Sequence, residues 1–186
     1  MSDSAWRLPF QGTNIAVLAD CHIHQGRSQF PAALFPRLQG ADLIVTLGNM
    51  GERAGLDQLE RIAPVLGVCG HDDDEDLRTR RLHLVLGGAG YRIGCVFDAV
   101  TTGLAVTSDP FVESDNADVV CDRIFGGRVD ILLHAGTHRP GEAPFGERGS
   151  ALNPGSAVAP AEGASATFLR LKVTPEGCYG QIILVG

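Results

Sequence analysis

The stretch NIAVLADCH, residues 14–22, decides how the sequence is interpreted. Its apolar part, residues 15–19, has no polar position that would mark a wet side, which is typical of a strand buried on both faces. Asp20 and His22 follow where this strand gives way to a loop, the place where open α/β sheets bind ligands. A carboxylate oxygen and a ring nitrogen two residues apart can both reach one divalent cation. A turn cap at Asp20 beside an ordinary loop histidine is the alternative that this stretch alone leaves open.

Composition describes a globular chain. Its 186 residues and 44% apolar share predict a single domain over residues 1–186, in which residues 1–11 form an N-terminal extension. The net charge is −7 and the sequence has no Lys/Arg cluster, which argues against extensive binding of the phosphate backbone of nucleic acids. Residues 1–11 lack a signal-peptide pattern, and no window approaches the ~18 apolar residues of a membrane span. The five cysteines form no C-x-x-C pair, which is typical of reduced thiols in a cytoplasmic protein.

Strands and helices alternate in the first half of the chain. After the first strand, helices are predicted over residues 30–38 and 56–62 and buried strands over residues 41–47 and 64–69. Such units require right-handed crossovers and a largely parallel sheet. In the second half, the pattern predicts a β-hairpin over residues 83–86 and 91–96 and a helix over residues 112–125. Further strands are predicted over residues 101–107, 129–133, 151–153, 167–173 and 178–185.

Four of the apolar strands run directly into polar loops, which read DCH, GNMG, GHDDD and HAGTH. Because the carboxyl ends of parallel strands meet at one edge of a sheet, we expect their polar side chains to converge. These side chains are Asp20, His22, Asn49, His71, Asp72, His134 and His138. The acidic run 72–76 is interpreted as a solvated face or a helix N-cap, and His24 as a bystander in the same region.

These loops resemble those of the calcineurin-like metallophosphoesterases, specifically the small bacterial and archaeal phosphodiesterases. The family's D-x-H motif is intact at residues 20–22, its T-H-x-P motif at residues 137–140 and its N-P-G-S motif at residues 153–156. The resemblance covers nearly the whole chain and implies an α/β fold, a four-layer α/β/β/α sandwich with mixed sheets. It also implies a metal site with four ligands, Asp20, His22, Asn49 and His138.

Departures from the family pattern imply a degenerate metal site. Asn49 replaces the bridging aspartate, His71 replaces an asparagine ligand, and Phe97 and Gly136 replace two histidine ligands of the second metal. Two divalent ions ~4 Å apart repel by on the order of 17 kcal/mol at an effective dielectric constant of ~20, and the bridging carboxylate that offsets this repulsion is absent. We therefore expect one divalent ion (Mn²⁺, Zn²⁺ or Fe²⁺) and no second metal. His134 is a candidate substitute ligand.

Two functions from different classes remain open. The first is a single-metal phosphodiesterase or phosphatase for a small phosphoester, in which the metal activates water. His71 or Asp72 would protonate the leaving group, and Arg139 would steady a phosphate oxygen. The second is a catalytically inactive scaffold or ligand-binding protein that keeps the fold and binds a partner protein, similar to the retromer subunit of this family. An oligomer is compatible with either function.

Overall fold

The computed structural model describes residues 6–7, 13–103, 117–146 and 149–186. Strands and helices alternate through the first half of the chain, and strands dominate the C-terminal part. In chain order the elements are β1 (Trp6–Arg7), β2 (Thr13–Leu18), α1 (Leu34–Leu38), β3 (Leu43–Thr46), α2 (Arg53–Glu60), β4 (Val65–Gly67), β5 (His83–Gly88), β6 (Tyr91–Val96), α3 (Ala117–Phe125), β7 (Ile131–Leu133), β8 (Pro140–Phe145), β9 (Gly149–Pro154), β10 (Thr167–Thr174) and β11 (Gly177–Leu184).

The strands form two sheets. One has the order β11-β10-β2-β3-β4, and the other has the order β1-β5-β6-β7-β9-β8. Strands β2, β3 and β4 are parallel to one another, whereas β10 and β11 run antiparallel beside them. In the second sheet β6, β7 and β9 are parallel to one another. Strand β5 is antiparallel to β6 but parallel to β1, and β8 is antiparallel to β9. Both sheets are therefore mixed, as the resemblance implied.

Side chains of β2 alternate between two cores, because successive residues of a strand point to opposite faces. Ile15 and Val17 lie in the core between the sheets, and Ala16 and Leu18 lie in the core beneath α1 and α2. A third core packs α3 against the outer face of the second sheet. The four layers are thus α/β/β/α. The prediction of a first strand buried on both faces is confirmed.

The first two helices differ in their bounds from the prediction. Helix α1 is confined to Leu34–Leu38, and Pro36 fits there because the first turn of a helix leaves its backbone N–H groups unpaired anyway. Helix α2 begins at Arg53, three residues before the predicted start, and its Gly55 lets the helix approach the side chain of Ile23. Helix α3 forms over Ala117–Phe125, and residues 112–116 of the predicted helix lie outside the described residues.

Strand β8 was missed by the sequence analysis because Pro140 and Pro144 argue against a strand. It is an edge strand, where proline removes no ladder hydrogen bond that the sheet needs. Residues 101–103 form a turn instead of the predicted strand, and residues 104–107 lie outside the described part of the chain. Within the predicted N-terminal extension, residues 6–7 pair with β5 as strand β1.

Two further properties concern the helices and the cysteines. Among the described residues, no helix has both the length and the apolar character that crossing a membrane requires. All five cysteines lie in described segments, and each is a free thiol.

Candidate metal centre

Loops that follow β2 and β7 bring Asp20, His22 and His138 together at one edge of the sheets. Their potential ligand atoms all lie within 4.8 Å of one another. We call these three residues the inner group. The backbone N–H of Asp20 donates to the carbonyl of Gly48, and that of His22 donates to the carbonyl of Asn49, so the loop after β2 is paired with the loop after β3.

The backbone is strained at this cluster. Asp20, His22, Asn49 and His138 have φ angles of 50°, 48°, 51° and 57°, in the left-handed region that non-glycine residues rarely adopt. Ala89, in the β5–β6 turn, is the other described non-glycine residue with positive φ. Strain of this kind costs about 1–3 kcal/mol per residue and persists where the surroundings impose it, commonly at functional sites. The strain therefore marks the same residues that the motifs selected.

Asp20 is completely buried. Its Oδ2 accepts a hydrogen bond from the backbone N–H of Gly136 at 2.9 Å, and its Oδ1 lies 3.3 Å from Nδ2 of Asn49. Burial raises the pKa of Asp20 above its usual value, and the hydrogen bonds and the proximity of His138 only partly oppose this. A buried carboxylate of this kind gains from a bound cation, because the cation offsets the desolvation of the charge.

His138 is held in one tautomer. Its Nδ1 lies 2.6 Å from the carbonyl oxygen of Ala159, which can only accept, so Nδ1 carries the proton. In the neutral ring Nε2 then carries the lone pair, and this atom lies 3.8 Å from Oδ1 of Asp20. This arrangement, in which a backbone carbonyl fixes the far nitrogen of the ring, is the usual one for a metal-ligating histidine.

Residues of the N-P-G-S motif hydrogen-bond the loops that carry the inner group. The Ser156 hydroxyl donates to the backbone carbonyl of Asp20 at 2.7 Å and accepts from the backbone N–H groups of Val158 and Ala159. Asn153 donates from Nδ2 to the hydroxyl of Thr137, next to His138. The roles of its residues do not follow from the motif match itself. Its polar side chains position the loops that carry Asp20 and His138.

Asn49 is oriented by three hydrogen bonds. Its Oδ1 accepts from the backbone N–H groups of His71 and Asp72, at 3.0 and 3.2 Å. Its Nδ2, which has no free lone pair, faces Asp20. The predicted ligand role of Asn49 would require the amide to turn and to give up these bonds. In the geometry seen here, Asn49 donates to Asp20 and ties the β3 loop to the β4 loop.

Phe97 occupies space beside the loops that follow β3 and β7. Its ring lies edge-on to His71, with 5.3 Å between centroids. A Cβ placed on Gly48 would lie 2.8 Å from this ring, and one placed on Gly136 would lie 3.9 Å from it. An apolar ring thus adjoins Gly136 and His71, two of the positions at which the family resemblance implied second-metal ligands.

Two predicted site residues point elsewhere. His134 is buried, and burial lowers its pKa to about 4; it belongs to neither of the two metal-competent groups that the described residues form. The guanidinium of Arg139 donates from one nitrogen to the carbonyl of Glu162 at 2.8 Å, and its side chain is exposed. The structure therefore does not bring His134 to the inner group, and it leaves Arg139 at the rim.

Carboxylates of the acidic run 72–76 accept hydrogen bonds, although Asp74 and Glu75 are exposed. Asp73 accepts from the backbone N–H groups of Met50, Gly51 and Gly70, which clamps the β3 loop to the β4 loop. No helix begins in this run, so the N-cap interpretation is wrong; Asp74 accepts instead from the N–H of Arg53, at the start of α2, whose N-cap residue is Glu52. Asp72 contacts His22, so the interpretation of a solvated face is wrong for Asp72.

Asp72 and His24 form a second constellation with His22. Oδ2 of Asp72 lies 2.6 Å from Nδ1 of His22 and 2.9 Å from Nε2 of His24. Partial burial acts to raise the pKa of Asp72, but these hydrogen bonds outweigh it and hold the pKa below its usual value. Asp72 is therefore an ionised acceptor at neutral pH, and the contact of His24 with it was not predicted from the sequence. An H-x-H spacing in the loop was the available signal.

The inner group fits a divalent ion. One carboxylate and two imidazoles are the donor set that Zn²⁺, Mn²⁺ and Fe²⁺ accept. Two ligand atoms that each lie about 2.1 Å from an ion are at most about 4.2 Å apart, and Oδ1 of Asp20 lies 3.8 Å from Nε2 of His138. His22 is the third donor of the inner group, and its Nδ1 is hydrogen-bonded to Asp72.

Comparisons with known proteins agree with this site and fold. The model of the calcineurin-like phosphoesterase superfamily domain matches residues 14–176. The chain therefore belongs to the calcineurin-like phosphoesterase superfamily. A probable metallophosphoesterase of Methanothermobacter thermautotrophicus is 26% identical over 178 residues, 92% of each chain. One of Methanocaldococcus jannaschii is 26% identical over 128 residues, and this match spans 68% of the present chain but only 59% of that relative's length.

Solved structures share the fold. Vps29 of Chaetomium thermophilum superposes with a TM-score of 0.69 at 22% identity, over 92% of this chain and 97% of that chain. The same fungal protein in complex with a cyclic peptide gives a TM-score of 0.64 at 19% identity, over 92% and 96% of the two chains. At these identities the likeness establishes the α/β/β/α architecture.

Proposed function

We propose that this protein is a metal-dependent phosphoesterase that works with a single divalent ion bound by the inner group, Asp20, His22 and His138. The observation that carries the proposal is the convergence of these three donors within 4.8 Å, on backbone held in strained conformations. When bound, the ion supplies Lewis-acid catalysis by polarising a phosphoryl oxygen and by lowering the pKa of water. Membership of the superfamily supports the reaction class.

His71 is the proposed proton donor to the leaving group. Its ring is exposed and is braced edge-on by Phe97, on the loop whose backbone Asn49 holds. Asp72, the other candidate, is a poorer acid because His22 and His24 hold its pKa low and occupy its Oδ2. Arg139 uses one guanidinium nitrogen on Glu162, which leaves further N–H groups to steady a phosphate oxygen.

Leaving-group dependence tests the role of His71. A p-nitrophenolate leaves without protonation, whereas a phenolate of higher pKa needs an acid. We expect His71→Ala to slow Mn²⁺-supported hydrolysis of bis-phenyl phosphate by about 10²-fold, and that of bis-p-nitrophenyl phosphate by much less. His83→Ala is the matched control, because His83 packs against Phe125 away from the centre. Equal losses on the two substrates would contradict the role of His71.

A competing proposal is a scaffold that has kept the fold without the chemistry. It is favoured by Asn49, whose Oδ1 is taken up by two backbone N–H groups, and by the Phe97 ring near the second-metal positions. The peptide complex of the fungal neighbour is a precedent for a partner that binds this fold. Under this proposal the purified protein has no metal-dependent turnover. Either function fits a cytoplasmic location, since the five thiols are free.

A further inference from the structure

A second metal-competent group lies beside the inner group and shares one residue with it. We call His22, His24 and Asp72 the outer group; their ligand atoms also lie within 4.8 Å of one another. Oδ2 of Asp72 faces both ring nitrogens, at 2.6 Å from Nδ1 of His22 and 2.9 Å from Nε2 of His24. Neither His24 nor Asp72 belongs to the inner group. The outer group is thus a separate set of donors that meets the inner group only at His22.

The backbone holds the outer group in place without a metal. His22 and Ile23 donate their N–H groups to the carbonyls of Asn49 and Met50, which ties this segment to the loop after β3. Within this segment the His22 and His24 rings both place a nitrogen against Oδ2 of Asp72. Ser28 accepts from the N–H of His24 and donates to the carbonyl of His22.

The donor chemistry suits a borderline divalent ion. Two imidazoles and one carboxylate are ligands for Zn²⁺, Fe²⁺ and Mn²⁺. Between 30 and 35% of the surface of each of the three side chains is exposed, so an ion reaches them from solvent. Nδ1 of His24 lies 3.8 Å from Oε1 of Glu52, which adds negative charge on the far side of the ring.

Sharing His22 makes the two groups exclusive. A neutral imidazole has one lone pair and one proton, so it ligates one ion at a time. We propose that His22 is a pivot between two alternative metal sites, an inner one with Asp20 and His138 and an outer one with His24 and Asp72, so that the chain holds one ion in either place. With the ion in the inner site, Asp72 accepts from Nδ1 of His22; with the ion in the outer site, it becomes a ligand. This inference rests on the proposed function for the inner site only.

Zn²⁺ titration of metal-free protein by calorimetry tests the pivot. His24→Gln removes an outer ligand and leaves the inner group intact, and His138→Gln does the converse. We expect one Zn²⁺ per chain in the wild type and in each single variant. In the double variant and in His22→Gln, the Kd should rise at least 100-fold above the wild-type value, beyond the rise in either single variant. His83→Gln is the matched control, and thermal unfolding without metal checks that each variant is folded.

The outcomes separate the inference from the proposed function. If the double variant binds Zn²⁺ no more weakly than His138→Gln alone, the outer site is absent and the inference is overturned. If the wild type binds two ions, the exclusive use of His22 is wrong. If His138→Gln keeps the wild-type affinity while His24→Gln loses binding, the inner site of the proposed function fails and only the outer site survives, which also removes the pivot.

Discussion

The rings of His22 and His138 lie nearly parallel, with 6° between their planes and 5.2 Å between their centroids. Each ring is held at Nδ1, by Asp72 in one case and by the carbonyl of Ala159 in the other. Hydrogen bonds of this kind orient metal ligands and typically change metal affinity by about 10–100-fold. The pair is therefore prepared for a cation beside the buried carboxylate of Asp20.

Asn49→Asp should make the metal-free protein less stable and more responsive to metal. The substitution removes the N–H group that donates to Asp20 and places a second carboxylate next to it. We expect the free energy of unfolding without metal to fall by about 1–3 kcal/mol, and the rise in Tm on adding Zn²⁺ to exceed that of the wild type. Thermal unfolding with EDTA and with Zn²⁺ measures both effects.

Asn14→Asp is the control for the Asn49 substitution, because Asn14 also contacts a carboxylate, that of Asp42, but at an exposed position away from the centre. Its Zn²⁺ response should match that of the wild type. An Asn49→Asp variant as stable as the wild type in EDTA would contradict the assigned hydrogen bond to Asp20.

Ser156→Ala should weaken metal binding although Ser156 touches no ligand atom. The hydroxyl holds the carbonyl of Asp20 and two backbone N–H groups, and its loss leaves buried polar groups unpaired. We expect a loss of about 1–3 kcal/mol in the free energy of unfolding and a rise of about tenfold in the Kd for Zn²⁺. Urea unfolding and calorimetry measure these quantities. Ser150→Ala, on β9, should change neither, and an unaltered Kd in Ser156→Ala would refute the supporting role.

Arg78→Ala should destabilise the protein at neutral pH and much less in acid. Arg78 hydrogen-bonds Asp57, Glu60 and Asp76, and this lowers the pKa of Asp76. A lowered folded pKa means that the stabilisation is present above the unfolded value, about 3.9, and is lost as the pH falls through the folded value. We expect a deficit of about 1–3 kcal/mol at pH 7 that shrinks below pH ~4. A deficit that is independent of pH in urea unfolding would contradict this account.

Thiol labelling should distinguish the buried cysteines from the others. Cys21, Cys95 and Cys121 are buried, and burial raises the pKa of each thiol. Cys178 is half-buried, with its pKa raised to about 11. We expect a thiol reagent at pH 8 to modify at most Cys69 and Cys178 in the folded protein, and all five after unfolding in urea. Rapid modification of three or more thiols in the folded state would contradict the packing.

The layered fold was predictable because β2 carries an unbroken apolar run and the motif order matches a family. Strand β8 was not predictable, since two prolines forbid a central strand, and only the tertiary fold shows that this strand lies at an edge. The start of α2 at Arg53 also escaped prediction. The N–H of Arg53 donates to Asp74, which is distant in the sequence, and not to a neighbouring cap residue.

The inner group was predictable from polar residues at strand ends together with the family resemblance, whereas its hydrogen bonds were not. D-x-H and T-H-x-P place Asp20, His22 and His138 at strand ends. The orientation of the Asn49 amide depends on two N–H groups from another loop, which no local pattern reveals. The contact of His24 with Asp72 likewise joins residues 48 positions apart.

Metal content and turnover measured on the same purified sample test the central claim most directly. The wild type and His22→Ala, supplemented with Mn²⁺ and freed of excess metal, are assayed for bound metal and for hydrolysis of bis-p-nitrophenyl phosphate. We predict about one ion per wild-type chain with measurable turnover, and the loss of both in His22→Ala. A folded wild-type protein that retains no metal and hydrolyses nothing would contradict the single-metal phosphoesterase and favour the scaffold.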